Sequence, residues 1–409
     1  MTVTTFQFMS PQSKQRLEAL FLLSPLIVLF VGIFNIPDTK SILSRLIPMI
    51  GIYCLFFYRN EIKHNWKNVH TRLFIIASLL AFFYFGLMHL FRGDDFGYSR
   101  TLVTCLVYLM LLPWKRLPSK YLTRFLPFAA ILCGLNAMYE FWILDIPRVG
   151  MATNPIPYAL FCAFMALSSL HQLLNDKSWL MRLVSLLGIG FASTALVLTD
   201  VRGMIIFLPI VMMFLALRLL PLSWRAYSGV LITIVLICGL GYKAFESKID
   251  QRIESTQIEL SQIAKGDFNT SIGIRFTLWL QGKDTALRAP IFGVGDEALQ
   301  ADIKAVMGIA AIQPHLHNQY IDTLARYGVI GLLILLAWMV SPLLYSKPNG
   351  GVGIQFEPLL SSMILMIALA GLTDVPFHHT HLVYLFTLFT GAWLMMAKDD
   401  REITVQSNS

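Results

Sequence analysis

Charged side chains are scarce in this chain. Only 14% of its 409 residues are Asp, Glu, Lys or Arg, whereas 56% are hydrophobic, and the mean hydropathy is +0.64. A soluble protein of this length needs far more charge to cover its surface. The composition therefore excludes an ordinary soluble protein and predicts that lipid surrounds most of the chain.

Cysteine is scarce as well. All five cysteines lie inside apolar stretches: Cys54, Cys105, Cys133, Cys162 and Cys238. An odd number of thiols at membrane depth excludes a disulfide framework, and their spacing is not that of a metal site. We interpret them as small hydrophobic side chains packed between helices. No small-residue cleavage site follows the first apolar stretch, so we expect that stretch to remain as a signal anchor.

The surplus of positive charge has a simple interpretation. The net charge is +8, and the isoelectric point is 9.2. No nucleic-acid-binding module is present, and in membrane proteins Lys and Arg gather beside anionic headgroups on the cytoplasmic side. We therefore expect membrane lipids as partners, and no nucleic acid.

Long apolar stretches are what the chain has in abundance. A membrane-spanning helix needs about 20 mostly apolar residues, and fewer where snorkelling side chains flank it. Twelve stretches are candidates: 19–36, 42–58, 73–91, 101–114, 121–141, 155–170, 180–198, 203–220, 227–242, 329–345, 359–372 and 383–396. The sequence therefore predicts an all-α polytopic membrane protein with about 12 transmembrane helices.

Positive residues predict the orientation of these spans. With the N-terminus in the cytoplasm, seventeen Lys and Arg residues lie near cytoplasmic span ends, and six lie in short outer loops: Lys40, Arg45, Arg92, Arg100, Arg148 and Arg202. Such a bias marks the cytoplasmic side. The predicted organisation is a cytoplasmic N-terminus (1–18), nine spans (19–242), an outer loop domain (243–317), three spans (318–396) and a cytoplasmic tail (397–409).

The outer loop is the largest hydrophilic segment. Apolar residues at positions 245, 249 and 253 have the spacing of an amphipathic helix, which ends at 266–269. Residues 275–287 indicate a second helix, and 292–295 a turn-rich connector. We expect a mostly helical domain on the outer side.

Arginines near the outer interface are the first candidates for a functional role. Arg202 lies in the short connection between spans seven and eight, where a cation is costly unless it is paired or faces a wet cavity. It can bind phosphate bidentately, or it can snorkel and anchor a helix end. In the outer loop, Arg275 precedes Trp279 by one turn and can bind an anion. Arg288 lies about 220° from Arg275 around the same helix, so the two cannot serve one site, and we favour Arg275.

The segment from Gln313 to Asp322 carries the densest set of reactive groups. It contains His315, His317, Asn318 and Tyr320 and leads from the outer loop into span ten. Ile321, Leu324, Gly328 and Gly331 follow His317 at helical spacing, which predicts one helical face with His317 at its outer end. Histidine there is suited to act as a general base, or it can simply anchor the helix.

A second outer segment contains Asp374 and three more histidines. Asp374 can orient a histidine, accept a proton, cap the last helix or pair with an arginine. The spacings of His315 with His317, and of His378, His379 and His381, also allow a zinc site. Without a His-Glu-X-X-His helix or a nearby cysteine, we predict no metal.

Five motifs together resemble the O-antigen ligase and O-antigen polymerase superfamily. The sharpest match is His317-Asn318, then nine residues, Gly328, two residues and Gly331. The others occur in the expected order: Thr199-X-X-Arg202, Gly273-X-Arg275 with Trp279, Pro290-Ile-Phe-Gly-Val-Gly295, and Thr373-Asp374. The resemblance extends from about span seven to the end of the chain.

The resemblance implies a GT-C-like glycosyltransferase in the bacterial inner membrane, with its active site in the periplasm. Such an enzyme transfers O-antigen from undecaprenyl diphosphate to a hydroxyl of lipid A–core, with inversion and without metal or cofactor. His317 would be the general base, and Arg202 and Arg275 would stabilise the diphosphate. The predicted substrate-binding residues are Arg288, His315, Asn318, Tyr320, Trp279 and Asp374.

Other functions remain open at this point. A polymerase of O-antigen repeat units shares the donor chemistry, and a protein O-oligosaccharyltransferase differs only in its acceptor. The protein-modifying relatives tend to be larger than this chain. A 12-helix transporter fits the number of spans, but the polar residues gather at the outer edge of the second half rather than near the midplane of both halves.

Overall fold

The computed structural model describes residues 11–117, 119–220, 246–347 and 349–396, together with isolated positions between 221 and 245. Cys238, most of the predicted ninth span and the tail over 397–409 lie outside the described residues.

Helices make up nearly all of the described chain. In chain order they are α1 (Pro11–Ile27), α2 (Thr39–Phe57), α3 (Glu61–Lys67), α4 (Arg72–Arg92), α5 (Gly97–Leu111), α6 (Ser119–Met138), α7 (Pro155–Asn175), α8 (Trp179–Leu198), α9 (Arg202–Leu219), α10 (Glu246–Ala264), α11 (Ser271–Arg288), α12 (Asp296–Ala305), α13 (Gln319–Val340), α14 (Pro358–Gly371) and α15 (Thr380–Met396). Short π and 3₁₀ segments are Val28–Gly32, Trp114–Arg116, Tyr139–Ile143, Gly308–Ile312, Ser341–Leu343 and Pro376–His378. Within the described residues, β1 (Leu344–Ser346) and β2 (Val352–Ile354) form one antiparallel hairpin.

Eight helices of the described chain are long and apolar enough to cross a membrane, and α5, α14 and α15 are shorter apolar helices. These helices overlap the predicted spans, apart from the ninth. The predicted all-α polytopic membrane fold is therefore confirmed. The number of spans and the GT-C-like arrangement stay predictions. Cys54, Cys105, Cys133 and Cys162 are buried free thiols, as their apolar surroundings predicted.

Two helices lie at the centre of the bundle. Helix α7 packs against α6, α8, α9 and α14, and 78% of its spanning window is buried. Helix α15 packs against α5 and α7 and is buried along its length from Leu382 to Met396. Both helices are apolar on all sides, which is the pattern of a helix enclosed by others rather than one facing solvent.

Helices α10, α11 and α12 lie in the segment predicted to be the outer loop domain. Helix α11 packs against α12 and α13, around a small apolar core of Leu278, Ala286, Leu299, Ile303, Ala310, Leu316 and Ala325. The helix predicted from Arg275 onward begins four residues earlier, because the Thr270 hydroxyl accepts a hydrogen bond from the Gly273 amide and caps it. Helix α12 was not predicted.

Helix α13 is broken at Gly328, where φ is +69° and ψ is −172°. The preceding connector fills the break: the amide of Val294 donates to the carbonyl of Ala325, and that of Val329 donates to Pro290. A Cβ atom on Gly328 would lie 2.2 Å from the carbonyl oxygen of Ile291. The prediction of one continuous helical face below His317 is therefore wrong, because a second backbone segment takes up the hydrogen bonds of the broken turn.

A buried ionic network fixes this break. Arg326 donates to Asp322 and Asp296 at 2.6 Å each, and both Arg326 and Asp322 are almost fully buried. Asp94 accepts from Arg92 at 2.6 Å and from the Asp296 amide at 2.9 Å. Buried charges are tolerated when they are paired in this way. The network ties the loop after α4 to α12 and α13, and so fixes the segment that carries His317.

Candidate active site at the start of helix α13

The backbone around His317 is set by a helix cap. The side-chain oxygen of Asn318 accepts hydrogen bonds from the amides of Tyr320 and Ile321, so α13 begins after His317 and not at it. The Asn318 amide group donates to the carbonyl of Leu372 at 3.2 Å, which draws in the loop after α14. His317 itself has a left-handed φ of +51°. The cap therefore directs the His317 ring toward the 372–374 loop.

The imidazole of His317 lies between two polar side chains. Its Nδ1 is 3.3 Å from Oδ2 of Asp374, and its Nε2 is 3.1 Å from Oε1 of Gln313. A carboxylate can only accept, so Asp374 holds a proton on Nδ1. The amide oxygen of Gln313 also accepts, so a neutral ring with its lone pair on Nε2 requires the Gln313 amide to turn over or to move away. The ring is then oriented for Nε2 to take a proton from a substrate hydroxyl, once Gln313 yields its place.

Asp374 is a buried carboxylate that remains charged. Burial raises the pKa of Asp374, but the hydrogen bond with His317, the neighbouring His315 and the Val375 amide at 2.7 Å outweigh it and lower the pKa to about 2. The charge is available to orient the imidazole of His317 and to stabilise the imidazolium that forms on proton transfer.

His315 is the second ring beside this carboxylate. Its Nε2 is 3.7 Å from Oδ1 of Asp374, and its Nδ1 accepts the His317 amide at 3.3 Å. Burial lowers the pKa of His315 to about 4, so the ring is neutral at ordinary pH. The donor atoms of His315, His317 and Asp374 lie within 4.8 Å of one another, an arrangement that could also take a metal ion.

Arg275 lies next to the same loop. Its Nε donates to the carbonyl of Thr373 at 3.2 Å, and its Nη1 donates to Ser271. Burial lowers the pKa of Arg275, and the neighbouring charge of Arg202 acts in the same direction, against Asp374 and Glu259. Two guanidinium groups therefore lie close enough to repel each other beside the Thr373–Asp374 loop.

Arg202 begins helix α9 and contacts α10. Its guanidinium donates to Glu259 at 2.8 Å and to Thr256 at 2.9 Å. Glu259 also accepts from the Ile272 amide at the start of α11. A Cβ atom on the adjacent Gly203 would lie 3.3 Å from the Thr373 hydroxyl, which places the start of α9 against this loop.

The remaining predicted site residues fall into two groups. Near the centre, the indole of Trp279 donates to the carbonyl of His317 at 3.3 Å. His378, which was considered only as a zinc ligand, also lies there, with its ring centroid 5.2 Å from that of His315. Tyr320 instead bonds the carbonyl of Ala368 at 2.8 Å and holds α13 against α14. Arg288 is paired with Asp302 at the far end of α11, away from Arg275. The binding roles of these residues stay predictions.

The sequence analysis did not identify three residues that contact or support the site. Gln313 and Glu259 contact His317 and Arg202 through the tertiary fold, and no local pattern distinguishes them from other polar loop residues. The sequence did contain a signal for Arg326. It follows Asp322 by four residues at the edge of an apolar stretch, where burying an arginine costs free energy unless it is paired.

The fold and the site together define a polytopic membrane protein with a carboxylate–histidine pair beside two arginines at one end of its bundle. Residues 187–336, from α8 into α13, match the family model described as O-Antigen ligase. This segment contains Arg202, Arg275 and His317, and the predicted resemblance to the O-antigen ligase superfamily is confirmed. Asp374 lies beyond the matched segment.

One relative extends over more of the chain. A Haemophilus influenzae protein described as uncharacterized is 24% identical over 337 residues, which is 78% of this chain and 83% of that protein. The family match shows that this part of the chain, residues 187–336, is similar to O-antigen ligases.

Proposed function

We propose that this protein is an O-antigen ligase of the bacterial inner membrane. It transfers O-antigen from undecaprenyl diphosphate to a hydroxyl of lipid A–core at the periplasmic face. The observation that carries the proposal is the 3.3 Å contact between His317 Nδ1 and Asp374, on a loop that also borders Arg202 and Arg275. Base and anion-binding groups are thus presented together, as transfer from a diphosphate requires.

The donor is held by its charge. Arg202 and Arg275 bind the diphosphate and neutralise the charge that develops as the bond between the anomeric carbon and the phosphate oxygen breaks. Burial of Arg275 strengthens this interaction, because low local dielectric favours pairing with an anion. The two cations take the place that a divalent cation has in other glycosyl transfers, so the reaction needs no metal.

The acceptor is activated by the histidine. Nε2 of His317 removes the proton of the core hydroxyl while its oxygen attacks the anomeric carbon from the face opposite the diphosphate. One carbon–oxygen bond forms, the other breaks, and the configuration inverts. Asp374 holds the imidazole in the required tautomer through Nδ1.

Two related activities and one unrelated activity remain as alternatives. A polymerase would use the same groups with a lipid-linked glycan as acceptor, and a protein O-oligosaccharyltransferase would use a serine or threonine. A transporter binds its substrate near the midplane between repeated halves. These groups instead lie together at one end of the bundle, and their positions favour transfer chemistry.

The test is a lipopolysaccharide gel from a strain that lacks the gene, complemented with wild type, His317→Ala or His64→Ala. His64 is an exposed histidine on α3. We expect wild type and His64→Ala to restore the O-antigen ladder. His317→Ala should reach the membrane in equal amount and lower transfer by roughly 10²- to 10⁴-fold, which is the usual contribution of a general base.

The gel also separates the alternatives. Core bearing a single repeat unit in the deletion strain indicates a polymerase, and unaltered lipopolysaccharide contradicts both activities. In membranes, transfer should persist in EDTA. A loss that zinc restores would assign the His315, His317 and Asp374 cluster to a catalytic metal instead.

A further inference from the structure

A groove lies between α1 and α6, at the end of the bundle away from His317. Phe34, beyond the end of α1, contacts the ring of His381 on the side of the site, with 5.9 Å between the ring centroids. Arg16 lies near the other end of this stretch, because α1 alone extends about 16 Å from Arg16 to Ile27 at 1.5 Å per residue and the segment Val28–Gly32 follows it. The groove that begins at Arg16 therefore faces the opposite leaflet of the membrane.

The groove has one polar end and a long apolar wall. Its volume is about 600 Å³, and its polar end carries Arg16, Lys120 and Arg124. The wall is formed by Ala19, Leu20, Leu23, Leu26, Ile27, Leu122, Phe125 and Phe128. From Arg16 to Ile27 it extends about 16 Å, close to half of the ~30 Å hydrocarbon core. Its length therefore matches the acyl region of one leaflet.

The shape of the two helices closes the groove at its inner end. Each helix carries an internal proline, Pro25 in α1 and Pro127 in α6, which breaks the helical hydrogen-bond pattern. The carbonyl of Phe21, which Pro25 leaves without its helical donor, accepts from the Ser24 hydroxyl at 2.7 Å. The segment Val28–Gly32 then packs against α6. The helices meet there and leave the space between their first turns open.

Two of the three cations at the polar end have no ion-pair partner within the described chain. Within the described residues, Arg16 and Lys120 make no ion pair, and Arg124 bonds Asp176 at 3.2 Å through Nε with its side chain half exposed. Lysine beside the membrane surface attracts anionic headgroups, and arginine can bind a phosphate bidentately. Several cations above an apolar wall one leaflet deep are complementary to a single molecule with an anionic head and acyl tails.

We propose that this groove is a binding site for an anionic glycerophospholipid. The phosphate lies between Arg16 and Lys120, with Arg124 at its edge, and the acyl chains lie along Leu20, Leu23 and Phe128. The proposal does not depend on the glycosyl-transfer function, because the groove lies at the other end of the bundle.

The test measures lipid binding to the full-length protein in a neutral detergent by native mass spectrometry. Phosphatidylglycerol is titrated against wild type, Arg16→Ala/Lys120→Ala, and a control, Lys14→Ala/Lys115→Ala. The control removes two exposed charges at the same end of the bundle that do not line the groove. We expect phosphatidylglycerol to bind the groove variant roughly thirtyfold more weakly than wild type, and the control nearly as tightly.

A second arm requires no variant. Phosphatidylcholine with the same acyl chains is titrated against wild type and should bind about as weakly as phosphatidylglycerol binds the groove variant. Equal binding of phosphatidylglycerol to the two double variants would overturn the proposal. So would equal binding of the two lipids to wild type, because the cations would then contribute nothing.

Discussion

His315 shows how a single residue can contribute to the site without titrating. Its Nδ1 accepts the amide of His317, and its Nε2 faces Asp374, so the neutral ring fits both neighbours. Burial lowers its pKa to about 4. A protonated His315 would lose the hydrogen bond at Nδ1 and place a buried positive charge beside His317. We infer that His315 is a positioning residue for the backbone of His317.

A dependence of stability on pH follows from this lowered pKa. The unfolded ring has a pKa of 6.5 and binds a proton as pH falls, whereas the folded ring resists protonation until about pH 4. Acidification from pH 7 to pH 5 therefore costs about 2 kcal/mol of folding free energy through His315 alone. We expect the apparent thermal midpoint to fall over this range, and to fall less in His315→Gln, as measured by scanning fluorimetry in detergent.

The exposed His64→Gln variant is the control for this measurement. It should retain the full pH dependence of wild type, because His64 is exposed on α3 and lies outside the site. If His315→Gln and wild type lose the same stability between pH 7 and pH 5, His315 is not the group responsible.

Individual site residues could be selected from the sequence, but their partners could not. Arg202 was selected because a cation at the interface is costly. His317, Arg275 and Asp374 were selected for their residue type, their neighbours and the motifs they belong to. The structure brings these four residues to one loop. The contact of Glu259 with Arg202 joins residues 57 positions apart, and it depends on how α10 packs. Burial and pairing determine the chemistry of such groups, and neither can be read from local sequence.

At the level of helices, α10 covers one of the two arginines. The carboxylate of Glu259 accepts hydrogen bonds from one Nη of Arg202 and from the amide of Ile272. An anionic oxygen of a substrate could accept the same two hydrogen bonds. The hydroxyl oxygens of Ser255 and Thr256 also accept hydrogen bonds from the Arg202 guanidinium. A diphosphate that binds the Arg202 guanidinium through both Nη groups must therefore compete with the Glu259 carboxylate.

Glu259→Gln should weaken that competition. We expect the KM for the lipid-linked donor to fall roughly two- to fivefold, the range expected for a partly exposed ion pair, with kcat little changed. The measurement is a steady-state transfer assay in detergent, with Glu254→Gln, an exposed carboxylate on the same helix, as the matched control. A higher KM in Glu259→Gln would instead show that Glu259 holds Arg202 in its binding position.

The break in α13 is the other feature at this level. Gly328 has a left-handed φ, and a Cβ atom there would overlap the carbonyl of Ile291. Gly328→Ala should cost about 1–2 kcal/mol for the backbone conformation, and more for the displaced connector. We expect a lower apparent thermal midpoint and less folded protein in the membrane.

Gly190→Ala is the matched control, because nothing lies within 4 Å of a Cβ atom at Gly190 in α8. It should leave stability unchanged or raise it slightly, since alanine favours a helix. If Gly328→Ala is as stable as Gly190→Ala, the connector does not occupy the break in the membrane-embedded protein.

The lengths of the apolar stretches in the sequence predicted most helices of the bundle, because the thickness of the hydrocarbon core sets how many residues a span needs. It did not predict the break, because a glycine within an apolar stretch is usually accommodated in a regular helix. The hydrogen bonds from Val294 and Val329 that fill the break come from a separate segment. Local periodicity carries no information about such pairing.

At the scale of the whole molecule, the two ends of the helix bundle differ in their charged residues and in the site or groove that each carries. The site lies at one end, beneath α10 to α12, and the groove with Arg16 and Lys120 lies toward the other. The positive bias of the short loops predicts that the end with Arg16 faces the cytoplasm. If so, the site faces the periplasm, where undecaprenyl-linked glycan and lipid A–core meet.

This orientation predicts opposite accessibility for two exposed lysines. Lys304 lies on α12 at the site end, and Lys63 lies on α3 between the second and third spans. In a background with all five cysteines replaced by alanine, Lys304→Cys should react with a membrane-impermeant maleimide in intact spheroplasts. Lys63→Cys should react only after permeabilisation. The reverse pattern would place the site in the cytoplasm, where a nucleotide-linked donor, rather than a translocated lipid-linked glycan, would be the available substrate.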